Sequence, residues 1–311
     1  MKILRKKVVN CILLCIFLAG FMMMIPQNAQ AAKSKFVVKN GVLIKYNGHG
    51  KKITIPKNVR TIKEQAFFGC SDLQTVTIPG NVKKIGQCAF AYCPDLKKVV
   101  MKNGVTTIMA EAFSGCGKLD SVTIPKSTKT INELAFDETP WLMKKRKQQK
   151  DKLVIVNHIL IDGRYAKGKI KIPKGVTAIA ESAFAWNKKI SGITIPSTVK
   201  TVGVGAFAVT NIKKITFPKS VKSIGQSALC LNDELKEVTI LNPKAKVMWN
   251  NDYTGGTIFD GLVHIEGFVG DKIVIRGYKN STAAKLAKHI NGLSNKSAKK
   301  RYKKAVFKTL K

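Results

Sequence analysis

Acidic side chains are scarce. The 311-residue sequence holds 18 Asp+Glu against 55 Lys+Arg, a formal charge of +37. So few carboxylates leave little material for acid–base pairs, and no paired-carboxylate arrangement stands out. Histidine is rarer still: His49, His158, His264 and His289 lie at unrelated places, without H-E-x-x-H or C-x-x-C spacing. No Ser-His-Asp pattern appears either, so neither an enzyme nor a cofactor is expected. The irregular stretch Asn242–Gly270 is the one place left for a hidden site. Aromatics make up 7% of the chain and arginines are few, which argues against specific nucleic-acid binding by stacking or bidentate base contacts. An apolar fraction of 45% excludes a wholly disordered polycation and suffices for a core. The excess positive charge favours anionic partners.

Beyond residue 31 no apolar run is long enough to cross a bilayer. Before it, Lys2, Arg5, Lys6 and Lys7 form a basic start, Val8 to Ile25 an apolar run, and Ala29-Gln30-Ala31 a small-residue cleavage site. This is the order of a secretory signal peptide, cut between Ala31 and Ala32, with an uncleaved anchor as the alternative. The expected location is extracellular, secreted or on the cell surface.

What the sequence has in abundance is repetition. Ala66-Phe67, Ala89-Phe90, Ala112-Phe113 and Ala135-Phe136 are each 23 residues apart, and the frame returns at Ala183-Phe184, Ala206-Phe207 and Ala228-Leu229. Ile62, Ile85, Ile108 and Ile131 precede the pairs at one offset, and Leu73, Leu96, Leu119 and Leu142 follow at another. The step from Ala206 to Ala228 is 22 residues, the missing one falling just before Ile212. Apolar positions at fixed offsets within a period of roughly 20–29 residues mark a leucine-rich solenoid, whose units bury a core only by stacking. The alternating Val-Thr-Ile-Pro segment predicts a short strand, and the Ile-x-x-x-Ala-Phe spacing predicts a helical, convex side.

Seven units start near Ile53, Val76, Val99, Val122, Ile170, Ile193 and Ile215. A second repeat with an offset of 117 residues matches Val37–Pro56 to Val154–Pro173, each copy reading as a hairpin turning at Asn40-Gly41 or Asn157-His158. The expected organisation is a signal peptide over 1–31, an N-terminal capping hairpin over 32–52 and repeats one to four over 53–144. An inserted hairpin over 145–169, repeats five to seven over 170–241, a C-terminal cap over 242–291 and a basic tail over 292–311 follow. Ala298, Tyr302, Val306 and Leu310 have helical spacing, so the tail reads as a basic amphipathic helix or as a frayed, solvated end.

The unit Ile-Pro-x-x-Val-x-x-Ile-x-x-x-Ala-Phe-x-x-Cys-x-x-Leu-x-x-Val resembles the BspA-type leucine-rich repeats of bacterial surface proteins. Thr139-Pro140-Trp141-Leu142 with its following hairpin, and Arg276-Gly277-Tyr278-Lys279-Asn280-Ser281-Thr282-Ala283, resemble that family's interruption and closing motif. The resemblance implies an α/β repeat solenoid that is secreted or surface-exposed, some relatives acting as adhesins for host matrix proteins or other cells. It brings no catalytic residues.

Cys70, Cys93 and Cys116 share one repeat position that Thr139 and Asn187 fill elsewhere, so a stack of small buried thiols accounts for them. Outside the leader five cysteines remain, with Cys88 and Cys230, an odd number for a closed disulfide framework. Gly203-x-Gly205 lacks the third glycine of a dinucleotide fingerprint, and the frame explains Gly203 as the counterpart of Gly86 and Gly225. The candidate binding residues are lysines at the strands: Lys51, Lys52, Lys97, Lys98, Lys169, Lys171, Lys213, Lys214 and Lys236. Stacked at strand spacing they form rows suited to a polyanion; a generally basic, solubilising surface is the competing reading. The partners these rows would suit are a host matrix or cell-surface protein or glycan, or an anionic cell-wall polymer.

Overall fold

A computed structural model of the chain describes residues 35–247, 272–296 and 304–310. The signal-peptide reading and most of the stretch Asn242–Gly270 lie outside the described residues. From Phe36 onward the chain winds into coils, each giving one strand of three to five residues and one of two residues. The longer strands Lys52–Thr54, Thr75–Ile78, Lys98–Met101 and Ser121–Thr123 pair in parallel, with Ile53, Val76, Val99 and Val122 in register. The shorter strands Thr61–Ile62, Lys84–Ile85, Thr107–Ile108 and Thr130–Ile131 stack the same way on the other side of the core.

The Ala-Phe segments are turns, not the helix that their spacing predicts. Two left-handed residues bracket each one, such as Gln65 (φ 57°) and Gly69 (φ 68°), and these end any helical run. Between them alternate amides serve different partners. Ala66 and Phe68 N–H close local turns onto Lys63 and Gln65, while Gln65, Phe67 and Gly69 N–H donate to Gln87, Ala89 and Ala91 in the next coil, at 2.7–3.0 Å. An α-helix would spend its amides on its own chain; here half of them carry the ladder around the turn, so the coils stay bonded on every side. Gly86 is required by this packing: a Cβ there would lie 2.5 Å from Glu64 N, and Gly203 and Gly225 meet the same obstacle. That geometry gives Gly203-x-Gly205 a structural reason.

The core is a column of rings. Phe67, Phe90, Phe113 and Phe136 stack at 4.5–5.3 Å between centroids, closed by Tyr46 at one end and Trp141 at the other. Each such pair adds about 0.5–1.5 kcal/mol beyond the area it buries. Trp141 is placed by the helix Pro140–Gln148, which Thr139 caps by accepting from Leu142 N while Pro140 occupies its first turn. In the second block Phe184 and Phe207 continue the pattern 5.4 Å apart.

Both hairpins form. Phe36–Lys39 and Val42–Tyr46 pair antiparallel, and Leu43 aligns with Ile62 at the first edge of the short-strand sheet. Val154–Val156 and Ile159–Asp162 repeat this arrangement against Ala178–Ile179. The second hairpin sits between two cores, with Ile159 in that of the first block and Leu160 in that of the second. At the far end the strand Lys272–Gly277 extends the long-strand sheet, and the helix Thr282–Lys296 lays Ala283, Leu286 and Ala287 onto the core. Residues Lys304–Thr309 then pair in parallel with Lys272–Gly277. Val306 therefore lies in a strand, not in the amphipathic helix that its spacing from Ala298 and Tyr302 predicts. The alternation Ala305, Phe307 against Lys304, Lys308 fits a sheet edge equally well. Among the described residues no helix is long and apolar enough to cross a membrane.

Candidate interaction surface

Side chains alternate across the longer strands, so the inward column of Ile53, Val76, Val99 and Val122 has an outward column on either side. The first outward column runs Lys52, Thr75, Lys98 and Ser121 in the first block, then Lys169, Gly192, Lys214 and Glu237 in the second. The next runs Thr54, Thr77, Val100 and Thr123, then Lys171, Thr194 and Thr216, and ends at Thr239, which is buried. All nine candidate lysines are exposed. Strands lie about 4.8 Å apart, so Lys52 and Lys98, two strands apart, are separated by roughly twice that. The rows are therefore broken by neutral residues, and they fall into two groups divided by the inserted hairpin: Lys51, Lys52, Lys97 and Lys98 on one side, Lys169, Lys171, Lys213, Lys214 and Lys236 on the other.

Among the described residues none of these lysines forms a salt bridge. The nearby acids are already engaged: Asp95 accepts from Lys118 at 2.6 Å, and Glu237 from Arg276 at 3.0 Å. The Asp95 carboxyl is held below its ordinary value by the Lys118 hydrogen bond and charge, with Lys97 and Lys51 adding to it.

Another charged group went unread in the sequence. Asp162, 2% exposed, accepts from Arg146 Nε at 2.5 Å and from Arg164 Nε at 2.7 Å. Arg164 also donates through both terminal nitrogens to Asp137, at 2.7 and 3.2 Å, and the Arg146 guanidinium lies over the Tyr165 ring at 4.3 Å. Asp137 belongs to the last coil of the first block and Asp162 to the hairpin, so the four charges tie the two together. The only sequence signal was an Arg on each side of a hairpin carrying an Asp. Burial opposes the Asp137 charge, but the Arg164 hydrogen bond and the charges of Arg164 and Arg146 outweigh it, leaving the carboxyl below its ordinary range.

A carboxylate held low in the fold adds stability that is complete above its unfolded pKa, about 3.9, and is lost as pH falls through the lower folded value. Asp137→Asn is therefore expected to lower the urea midpoint at neutral pH. It should also flatten the loss of stability below about pH 4, which a denaturation series down to about pH 2 would read.

Among the described residues no cysteine forms a disulfide. Cys93 and Cys116 donate their thiols to the carbonyls of Phe67 and Phe90 in the preceding coils, at 3.1 and 3.0 Å. At the same repeat position Asn187 and Asn232 donate to the carbonyls of Gly163 and Phe207. The shared task is to satisfy a carbonyl at a tight turn. Cys93 is pushed far up by its flanking thiols Cys116 and Cys70 and then by burial, which keeps it protonated and inert. Among the described residues no three His, Cys, Asp or Glu side chains are grouped to hold a metal ion.

Parallel coils of this period, one strand each on two faces around a stacked core, define a leucine-rich-repeat solenoid. The family model described as BspA type Leucine rich repeat region matches residues 45–150 and 166–253 in 6 copies, and the chain belongs to that family. No curated protein matches the chain. Among solved structures it is similar to a leucine rich cell surface protein from Faecalibacterium prausnitzii, with 22% identity over 81% of this chain and 67% of that one, TM-score 0.39. A leucine-rich repeat protein from Eubacterium ventriosum matches with 20% identity over 77% of this chain and 73% of that one, TM-score 0.41. Pneumococcal vaccine antigen PcpA matches with 18% identity over 84% and 80%, TM-score 0.38.

Proposed function

We propose that this protein is exported and binds macromolecules at a cell surface through its long-strand sheet, acting in adhesion to a host matrix or cell-surface protein or glycan rather than in catalysis. The observation that carries the reading is the pair of lysine groups on that sheet, exposed and, among the described residues, without salt bridges while the neighbouring acids Asp95 and Glu237 are occupied. Charges held ready on a rigid, repeated scaffold favour an elongated acidic partner, because each ammonium replaces a released counterion. The family membership agrees with an interaction role. A second reading, retention on an anionic cell-wall polymer, draws on the same charge.

Binding of the full chain to arrayed matrix proteins, glycans and wall polymers at two salt concentrations tests both. Saturable binding to one class that survives high salt is expected for the adhesive role. Binding to every polyanion that collapses with salt is expected for the tether. The triple variant Lys52→Gln, Lys98→Gln, Lys171→Gln is expected to lower the slope of log affinity against log salt by about one per lysine engaged. Its melting temperature should not change, since exposed charges add little stability. An unchanged slope would rule out a part for these three lysines.

A further inference from the structure

Among the described residues the long-strand sheet of the second block is open between Ile190–Thr194 and Lys214–Phe217, and the 22-residue step accounts for it. Ile190 lies six positions after Phe184 and Leu235 six after Leu229, but Ile212 lies five after Phe207. Elsewhere in that coil the register holds. Val202 aligns with Ile224, and the N–H groups of Gly205, Phe207 and Val209 donate to Gln226, Ala228 and Cys230 as in other coils. The shortfall therefore falls in the turn at 208–212 and is felt by the next long strand. Lys214–Phe217 pairs in full with Glu237–Ile240, yet among the described residues no ladder bond joins it to Ile190–Thr194. Ile190–Thr194 is irregular on its other side as well, since its pairing with Gly168–Lys171 skips Ser191, a β-bulge. Between the two strands lies a groove of about 310 Å³, open to solvent and lined by Lys169, Ser191, Gly192, Ile193, Lys213 and Lys214.

Three features give this groove a chemistry. Lys169, Lys213 and Lys214 line it, and the acid beside Lys214, Glu237, is paired with Arg276. Backbone groups on the facing edges, which bond to the neighbouring strand in other coils, have no ladder partner here among the described residues. Gly192 stands where Lys52, Thr75 and Lys98 stand in other coils, and leaves the floor bare; the nearest atom to a Cβ placed there is Lys169 Cγ at 3.7 Å. Ammonium groups and edge amides around a bare floor suit a compact oxyanion, which accepts several charge-assisted hydrogen bonds at once.

We infer that the groove holds one sulfate or phosphate ester group of an anionic polymer, with Lys169, Lys213 and Lys214 and the edge amides donating to its oxygens. The inference rests on the reading of the long-strand sheet as the binding face and fixes where on that face a shaped site lies.

Titration calorimetry of the full chain at physiological salt tests it with two probes of similar charge, a heparin-derived octasaccharide for sulfate esters and a glycerol phosphate oligomer for phosphodiesters. Saturable binding of either is expected, and which one binds names the source of the oxyanion. Inserting Ala between Thr210 and Asn211 restores the 23-residue step and lets the ladder close without altering any charge. That variant and K213Q/K214Q are each expected to lose about tenfold or more in affinity, the scale of one lost charge-assisted hydrogen bond. The control pair K57Q/K126Q removes the same charge elsewhere and is expected to lose less than about threefold. Should the insertion impair folding, as circular dichroism would show, K213Q/K214Q against its control decides. Equal losses in the two lysine pairs, or full affinity in a folded insertion variant, would overturn the groove while leaving the wider sheet as binding face. Saturable binding of neither probe would overturn the groove too. No binding to any acidic macromolecule on the array would overturn the reading it rests on.

Discussion

Asp162→Ala is expected to destabilise the protein by about 3–5 kcal/mol, the scale found when one partner of a buried charge pair is removed. Asp162 is 2% exposed and is the acceptor that both Arg146 and Arg164 share. Without it two half-buried guanidinium groups face the single carboxylate of Asp137, and the Arg146 stack on Tyr165 loses its anchor. Asp162→Asn keeps the volume and one acceptor oxygen, so it should retain part of the stability. Replacing Arg146 as well should recover some of the loss by removing an unpaired charge, a coupling that a double-mutant cycle would measure. Because the network joins the last coil of the first block to the hairpin between the blocks, its loss should also separate their unfolding. Urea denaturation followed by two probes, the Trp141 region for the first block and Trp186 for the second, would show one transition in the parent chain and two in the variant. A single, unshifted transition in Asp162→Ala would mean that the junction is held by its other contacts, among them Ile159, Leu160 and the hydrogen bond from Ser182 to Glu133.

Phe113→Ala should cost about as much by a different route. The Phe113 ring is fully buried and lies 5.1 Å from Phe90 and 5.3 Å from Phe136, nearly parallel to both. Truncation removes two stacking contacts and leaves a cavity that the rigid turns on either side cannot close, a loss of about 3–5 kcal/mol for a buried Phe. The bonds from Phe90 N to Ala112 O and from Phe113 N to Ala135 O hold the turn backbone in place whatever the side chain. Leu at this position should therefore restore most of the stability, as Leu229 takes the ring's place in the last Ala-Phe unit. The fall in thermal midpoint, with Phe113→Leu as the rescue, measures it. A Leu variant as unstable as the Ala variant would show that ring stacking outweighs volume.

The repeat frame was legible because every coil restates the same demands. Ile53, Val76 and Val99 recur at one offset, and the structure puts them in one register. The hairpins at Asn40-Gly41 and Asn157-His158 were legible for the same reason, as alternation around a turn signal is local. The Ala-Phe segments misled because helical spacing and a turn with left-handed ends place the same residues inward. What separates them is the sign of φ at Gln65, Cys88, Glu111 and Leu134, and none of those four side chains announces it. Val306 misled similarly, since a short alternating stretch satisfies both periods and only its pairing with Lys272–Gly277 chose between them.

By itself the sequence determined the class of fold, the period, the hairpin positions and the excess of lysine over acid, because each is a property of composition or of residues close in the chain. The tertiary structure alone decided which charges are free and which are spent. Asp137 meets Arg164 across 27 residues and Asp95 meets Lys118 across 23, distances along the chain that only the stacking of coils makes short. It also turned one missing residue before Ile212 into a groove. In a ladder bonded on both faces, a shortfall that the turns do not absorb must appear where the next strand fails to meet its neighbour.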